Sequence, residues 1–412
     1  MKKEIKRVCA REILDSRATP TVEARVELAD GSVGVASVPS GASTGIHEAH
    51  ELRDGDKTRF GGRGVLSAVK NVNEEICPAL CGLCADNQRD IDEKMIDLDG
   101  RKNKSRLGAN AILAVSLATA RAAAASQGEE LYQYLSSGEE CGLPTPMFNL
   151  LNGGAHAANN VDIQEFMIVP HGLPLPDAIR AGSEIYHTLG RLLRECGLST
   201  GVGDEGGFAP DLASDEEAIK LLCRAITESG YDTDKIGIAL DVASSEWYEN
   251  GEYVMPKRGK RTSADELIAY YGELCEKYPI ISIEDGLAED DFDGWERLTE
   301  RLGDRVMLVG DDLFVTNGER LKMGIERRVG NAILIKPNQI GSLYETLFVI
   351  KMARENGYKY IISHRSGETT DSSIADIAVA TCAPFIKTGA PCRGERVAKY
   401  NRLLEIYPYI NK

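Results

Sequence analysis

The sequence is poor in cysteine, carries fewer basic than acidic residues, and lacks any long apolar run. Ten cysteines among 412 residues are too few for a disulfide framework, and a chain of this length does not need staples to build a core. A reducing cytosol is therefore the expected compartment. Cys81 and Cys84 form a C-x-x-C, but with no second pair and no histidines at zinc-ligand spacing they read as ordinary thiols. Lys and Arg number 48 against 64 Asp and Glu, a net charge of −16. Such a field repels nucleic-acid backbones and anionic lipid, so no direct nucleic-acid binding is expected. A small phosphorylated anion can bind only where local Lys, Arg or metal ions reverse the field.

The stretch from Met1 to Leu14 is punctuated by Lys2, Lys3, Glu4, Lys6, Arg7 and Arg11, without the apolar core of roughly 7 to 15 residues that a secretory signal needs. Ala109 to Ala125 is the most apolar stretch, but Asn110, Ser116, Thr119 and Arg121 interrupt it. It falls short of the roughly 20 residues that span a bilayer, so it reads as a buried helix and no membrane insertion is expected. The chain has neither a G-x-x-x-x-G-K-[ST] loop nor a G-x-S-x-G elbow, and Gly61-Gly62-Arg63-Gly64 lacks the preceding strand of a dinucleotide fingerprint. The basic run Lys257 to Arg261 is short and has no interleaved aromatics, which predicts a solvated loop.

With 42% hydrophobic and 27% charged residues, the chain has the composition of a soluble globular protein. Ile5 to Leu14 and Thr21 to Leu28 alternate like strands, Asp30-Gly31 signals a hairpin, and Ser32 to Val38 reads as the returning strand. Helical patterns follow at Val65 to Leu80, Gln88 to Leu98 and Ala109 to Ser126. Leu143-Pro144-Thr145-Pro146 then breaks the pattern. The expected division is an N-terminal α+β capping domain, residues 1–138, and a C-terminal domain, residues 139–412. From Thr145 onward 268 residues remain, close to the roughly 250 of an eight-stranded β/α barrel of the TIM type.

A series of apolar runs supports that barrel, each ending in a polar residue and followed by helix-forming sequence: Ile236 to Asp241, Ile280 to Glu284, Val306 to Asp311, Ala332 to Lys336, Tyr360 to His364 and Pro384 to Lys387. Their ends are 43, 27, 25, 28 and 23 residues apart, and the last four gaps each suit one βα unit. In a parallel barrel all strand ends meet on one face, which would gather Asp241, Glu284, Asp311, Lys336, His364 and Lys387 at one mouth. Three carboxylates without a thiol favour a hard cation, magnesium, with manganese accepting the same donors. Glu284-Asp285 and Asp311-Asp312 are adjacent pairs whose side chains point oppositely in a strand, so spacing does not choose between neighbours.

Seven segments together resemble the enolase family: Ser40-Gly41-Ala42-Ser43-Thr44-Gly45, Val161-Asp162-Ile163-Gln164-Glu165-Phe166-Met167-Ile168, Gly203-Asp204-Glu205-Gly206-Gly207, Ser282-Ile283-Glu284-Asp285-Gly286, Lys336-Pro337-Asn338-Gln339-Ile340-Gly341, Ser363-His364-Arg365-Ser366-Gly367-Glu368 and Ile386-Lys387-Thr388-Gly389. They run in order over nearly the whole chain. The resemblance implies an enolase-type barrel and the reversible, magnesium-dependent dehydration of 2-phospho-D-glycerate to phosphoenolpyruvate in glycolysis and gluconeogenesis. It implies that Asp241, Glu284 and Asp311 hold the first of two magnesium ions, and that Ser43 helps to hold the second. Lys336 would take the C2 proton. Glu205 would protonate the departing C3 hydroxyl, with Glu165 crowding it so that it keeps its proton. Arg365 and Ser366 would bind phosphate, Lys387 the substrate carboxylate, and His156, Gln164 and His364 would touch substrate. The loops Ser40 to Gly45 and Asn152 to Asn160 would act as lids. Proton abstraction beside a carboxylate creates a dianion, which explains the need for cations there; magnesium with a Lys base is a stock pattern of this superfamily. For Lys336 to be a base, nearby positive charge and desolvation must lower its pKa.

The resemblance has three departures. Arg17-Ala18-Thr19-Pro20 stands where Arg-Gly-Asn-Pro is usual, Gly394 takes a common serine position, and the chain stops at Lys412. The family's assembly implies a homodimer or a dimer-based octamer. Two rivals stand beside this reading: an acid-sugar dehydratase of the same superfamily, and a cell-surface or secreted binding protein engaging plasminogen through Lys412.

Overall fold

The computed structural model describes residues 3–41 and 45–410; Ser43 and Lys412, each given a role above, lie outside them. Near the N-terminus, β1 (Ile5–Leu14), β2 (Pro20–Leu28) and β3 (Val33–Ser37) form an antiparallel meander. Gly31 makes its second turn in the left-handed region (φ 90°), while Asp30 Oδ1 accepts from the Ser32 amide at 2.8 Å. Five helices follow: α1 (Leu66–Asn71), α2 (Cys77–Leu80), α3 (Gln88–Asp99), α4 (Ala109–Gln127) and α5 (Leu131–Ser136). Alternate residues of β2, Val22, Ala24, Val26 and Leu28, are buried against α4. At Gly34 the β3 backbone comes so close that an added Cβ would lie 2.0 Å from the Ala118 carbonyl oxygen. By length and hydropathy α4 could cross a membrane, but 83% of its apolar window is buried inside the protein.

The barrel strands are β4 (Thr145–Asn152), β5 (Glu165–Val169), β6 (Gly237–Asp241), β10 (Ile280–Glu284), β11 (Met307–Gly310), β12 (Ala332–Ile335), β13 (Lys359–Ser363) and β14 (Phe385–Lys387). They close in the order β10-β11-β12-β13-β14-β4-β5-β6. Between β6 and β10 hangs a small sheet of β7 (Tyr248–Glu249), β8 (Glu252–Val254) and β9 (Arg261–Thr262). Outside the barrel run α6 (Leu175–Glu195), α7 (Asp215–Glu228), α8 (Ala264–Lys277), α9 (Phe292–Leu302), α10 (Gly318–Arg327), the short α11 (Pro337–Ile340), α12 (Leu343–Glu355), α13 (Ser373–Ala380) and α14 (Gly394–Ile410). Met147, Met167, Val169, Ala239, Val309, Leu334 and Ile361 fill the lumen. The barrel is thus a packed core, and chemistry is confined to its mouth.

Two expectations are corrected. The barrel is not all parallel, because β5 runs antiparallel to both β4 and β6. The segment 153–164 between β4 and β5 contains only a single helical turn, Gly154–His156, and a parallel crossover needs a longer excursion. The basic run is not simply solvated: Arg258 pairs with Asp162 (3.2 Å) and with Asp215, both fully buried acids. Cys81 and Cys84 are free thiols, as expected, and Cys81 Sγ lies 3.8 Å from Cys77 Sγ.

Candidate active site

Strand register brings the acids together. Asp241 at the end of β6 is paired with Glu165, the first residue of β5, and on its other side with Glu284, the last of β10. Reversal of β5 is what puts Glu165 at the mouth. Lys387 ends β14 beside Ser363 and reaches across the mouth. Its Nζ lies 2.9 Å from Asp241 Oδ2, 2.9 Å from Glu284 Oε1 and 3.2 Å from Glu165 Oε2. Burial alone would lower the Lys387 pKa, but Asp241, Glu165 and Glu284 outweigh it and hold the ammonium well above its usual range. Glu284 is pushed well up by burial and by its neighbour Asp241. The mouth therefore carries more negative charge than one ammonium can offset.

Asp311 follows β11 and pairs with Lys336, which follows β12. Its other oxygen accepts from Gln339 Nε2 at 2.8 Å, and Thr316 Oγ1 supports Gln339 Oε1 at 2.8 Å. The Lys336 pKa was expected to fall, yet here it is raised. Burial, Arg365 and Lys387 lower it, and the contact with Asp311 overrides them. The neighbouring pairs that spacing left undecided behave differently from simple alternation. Asp285 takes a left-handed backbone (φ 43°), and its carboxylate accepts from the amides of Asp311 (3.0 Å) and Asp312 (2.8 Å). Burial and Asp311 push Asp312 up to about 8.

A second cluster lies around Glu205. Burial tends to raise its pKa, but His364, His156 and Arg396 hold it well below the usual carboxylate range. Glu165 is driven well up by burial and by Glu205. Of the two carboxyls, Glu165 is therefore the one favoured to hold a proton, because the Arg396 guanidinium and the His364 ring face Glu205. His364 Nε2 is 3.4 Å from Glu205 Oε2, and His156 Nδ1 is 3.4 Å from Glu165 Oε1. Asn149 Nδ2 donates to Glu205 at 3.1 Å. Burial lowers the His364 pKa to about 4, so its ring is neutral near pH 7.

Opposite them Arg365, buried, with Nη1 2.8 Å from Glu48 Oε2, brings a guanidinium to the mouth, and the Ser366 hydroxyl lies next to it in sequence. The first layer supports this loop. Ser40 and Gly367 exchange backbone hydrogen bonds of 2.8 and 2.9 Å, and a Cβ on Gly367 would meet Asp15 Oδ2 at 2.4 Å. Arg17 donates to the Ser40 and Gly41 carbonyls, from a turn in which Ala18 is left-handed (φ 55°). Gln164 Nε2 lies 3.4 Å from Asp241 Oδ2, while its buried Oε1 has no hydrogen-bond partner among the described residues.

These side chains wall one narrow polar cleft, which Lys336, Glu205, Glu165, Asp241, Arg365 and Lys387 all line. Among the described residues two groups bring three possible ligand atoms within 4.8 Å of one another, His156 with Glu165 and Glu205, and Asp285 with Asp311 and Asp312. Both suit a divalent cation, since the donors are hard oxygens with at most one imidazole. Asp241 and Glu284 gather instead around Lys387. Sequence reasoning missed Glu48, Asn149, Gln339 and Arg396. Glu48 and Arg396 come from a loop of the first layer and from α14, where no strand-end pattern marks them.

Comparison with known families gives two matches. Residues 5–135 match the family model described as "Enolase, N-terminal domain", and residues 140–411 match "Enolase, C-terminal TIM barrel domain".

Proposed function

Since the chain belongs to the enolase family, and is with it a hydro-lyase that dehydrates phosphoglycerate, we propose that the barrel mouth divides this reaction among its own side chains as follows. Arg365 and Ser366 take the phosphate of 2-phospho-D-glycerate, Lys387 faces the carboxylate, Lys336 receives the C2 proton, and the Glu165/Glu205 pair handles the proton that leaves with the C3 hydroxyl. One observation carries the reading: a base, a carboxyl pair and a guanidinium, contributed by segments far apart in sequence, wall the same cleft.

The residues fit magnesium. Asp241, Glu284 and Asp311 are buried oxygen donors, and the Glu284 pKa is raised by burial and then by Asp241, a cost to its ionised form that a bound cation would offset. We assign the first ion to these three and, by the family resemblance, a role in holding a second to Ser43, which lies outside the described residues; His156 and Gln164 complete the substrate shell. Bound magnesium supplies positive charge at the substrate carboxylate, where the dianion develops.

Lys336 must lose its proton before it can act. Once the charges of Asp311 and Glu284, which raise its pKa, are neutralised, the lowering influences of burial, Arg365 and Lys387 prevail. Glu165 stores a proton beside Glu205, so the pair can donate to the leaving hydroxyl in dehydration and accept from water in the reverse direction. His364 and Asn149 fix Glu205 in place.

The reading further includes a capping domain over 1–138, a barrel over 139–412, a dimer-based assembly and a cytoplasmic location. The test is the ultraviolet absorbance of the enol product when purified protein meets 2-phosphoglycerate, with magnesium and with chelator. Product only with magnesium supports the reading. No product in either condition overturns it.

A further inference from the structure

Arg396, in the first turn of α14, is fully buried yet is not among the side chains that wall the cleft. A buried guanidinium is costly unless its donors are used, and here both Nη atoms are spent on two loops, while Nε faces Glu395 Oε1 at 3.4 Å without a hydrogen bond. Nη1 lies 2.6 Å from His364 Nδ1 and 2.5 Å from the Arg365 carbonyl oxygen, while Nη2 donates to the carbonyl oxygens of Ser366 (2.5 Å) and Asp204 (3.2 Å). Asp204 precedes Glu205, assigned above to the leaving hydroxyl; Arg365 and Ser366 are the residues assigned to the phosphate. The arginine stem is equally confined, because a Cβ on Gly389, itself left-handed at φ 82°, would sit 2.9 Å from Arg396 Cδ and 2.9 Å from the Glu205 carbonyl oxygen.

We propose that Arg396 is a positioning residue that fixes the His364 tautomer and locks the Glu205 loop to the Arg365-Ser366 loop at a set separation. The argument rests on the reaction assigned above. A guanidinium has donors and no acceptor, so His364 Nδ1 must accept and its hydrogen must sit on Nε2. That N–H points to Glu205 Oε2, 3.4 Å away. The other tautomer would set N–H against N–H, and a flipped ring would set a C–H there. Lysine at this position could not replace the fork, since one nitrogen cannot reach acceptors on both loops.

The test uses the full-length enzyme with Arg396→Ala and Arg396→Lys, assayed for dehydration and, separately, for hydrogen exchange at C2. Displacement of the loops should lower dehydration kcat about a hundredfold in Arg396→Ala, while C2 exchange, which depends on Lys336, changes by less than about threefold. Millimolar guanidinium should restore part of the dehydration in Arg396→Ala, and Arg396→Lys should stay slow. Nitrogen-15 spectra of the wild type should show His364 protonated on Nε2 alone, a readout that needs no variant to fold. Dehydration and exchange falling in parallel, or wild-type His364 with its hydrogen on Nδ1, would overturn the positioning role. If the wild type makes no enol product, the assigned reaction itself fails and the role with it.

Discussion

Lys387→Met removes the ammonium around which Asp241, Glu284 and Glu165 gather, while keeping most of the side-chain volume. A unit charge 2.9 Å from an opposite one is worth about 6 kcal/mol at an effective dielectric constant near 20, and burying the ammonium takes back much of that. Removing one partner from a buried ion pair costs about 3 to 5 kcal/mol. At roughly 2 to 4 °C per kcal/mol for a domain of this size, Tm should fall by about 6 to 20 °C. The loss should depend on pH. Glu284 and Glu165 already have raised pKa values, and without the ammonium they rise further. A carboxyl raised in the folded state contributes stability that is present below its unfolded pKa, near 4, and is lost as pH rises through the folded value. The deficit should therefore be small at pH 5 and largest at pH 8. Scanning calorimetry in chelator at both pH values reads it, and magnesium should then raise Tm more in the variant than in the wild type. A Tm within about 3 °C of wild type at pH 8, or a deficit that shrinks as pH rises, would refute the electrostatic account.

Other expectations concern single side chains. Lys336→Ala should abolish both turnover and C2 hydrogen exchange, by at least about a thousandfold; undiminished exchange would contradict its role as base. Glu205→Gln should block dehydration but leave measurable C2 exchange, and retention of full dehydration would remove it from the proton path. Gly34→Ala places a methyl 2.0 Å from the Ala118 oxygen and 2.4 Å from the Ala122 nitrogen, so α4 must shift outward and thermal unfolding should show a loss of about 1 to 3 kcal/mol. Ala18→Gly releases a left-handed alanine (φ 55°) and should gain about 1 kcal/mol, seen as a small rise in Tm.

The meander and the later barrel strands were legible because each carries a periodic or repeating signal. The expected strand ends Asp241, Glu284 and Lys387 coincide with the observed ends of β6, β10 and β14. What escaped was set by contacts between distant segments. The antiparallel β5 has the same apolar pattern as a parallel buried strand, so periodicity could not reveal its direction. Asp285 escaped the two-residue alternation because a left-handed backbone turns its carboxylate onto the Asp311 and Asp312 amides. The division of one proton between Glu165 and Glu205 depends on where His364, His156 and Arg396 point, and spacing along the chain carries no such information. Nor does spacing mark Glu48, which reaches Arg365 across 317 positions of sequence.

The reversed strand has a mechanical consequence. Asn152 at the end of β4 and Glu165 at the start of β5 are register partners, so segment 153–164, with His156 near its start, is rooted at both feet in one rim. An ordinary βα excursion must carry a whole helix when it moves. This one is a bucket handle on two adjacent feet, its later limb pinned where Asp162 meets Arg258 and its far foot, Glu165, set in the wall below.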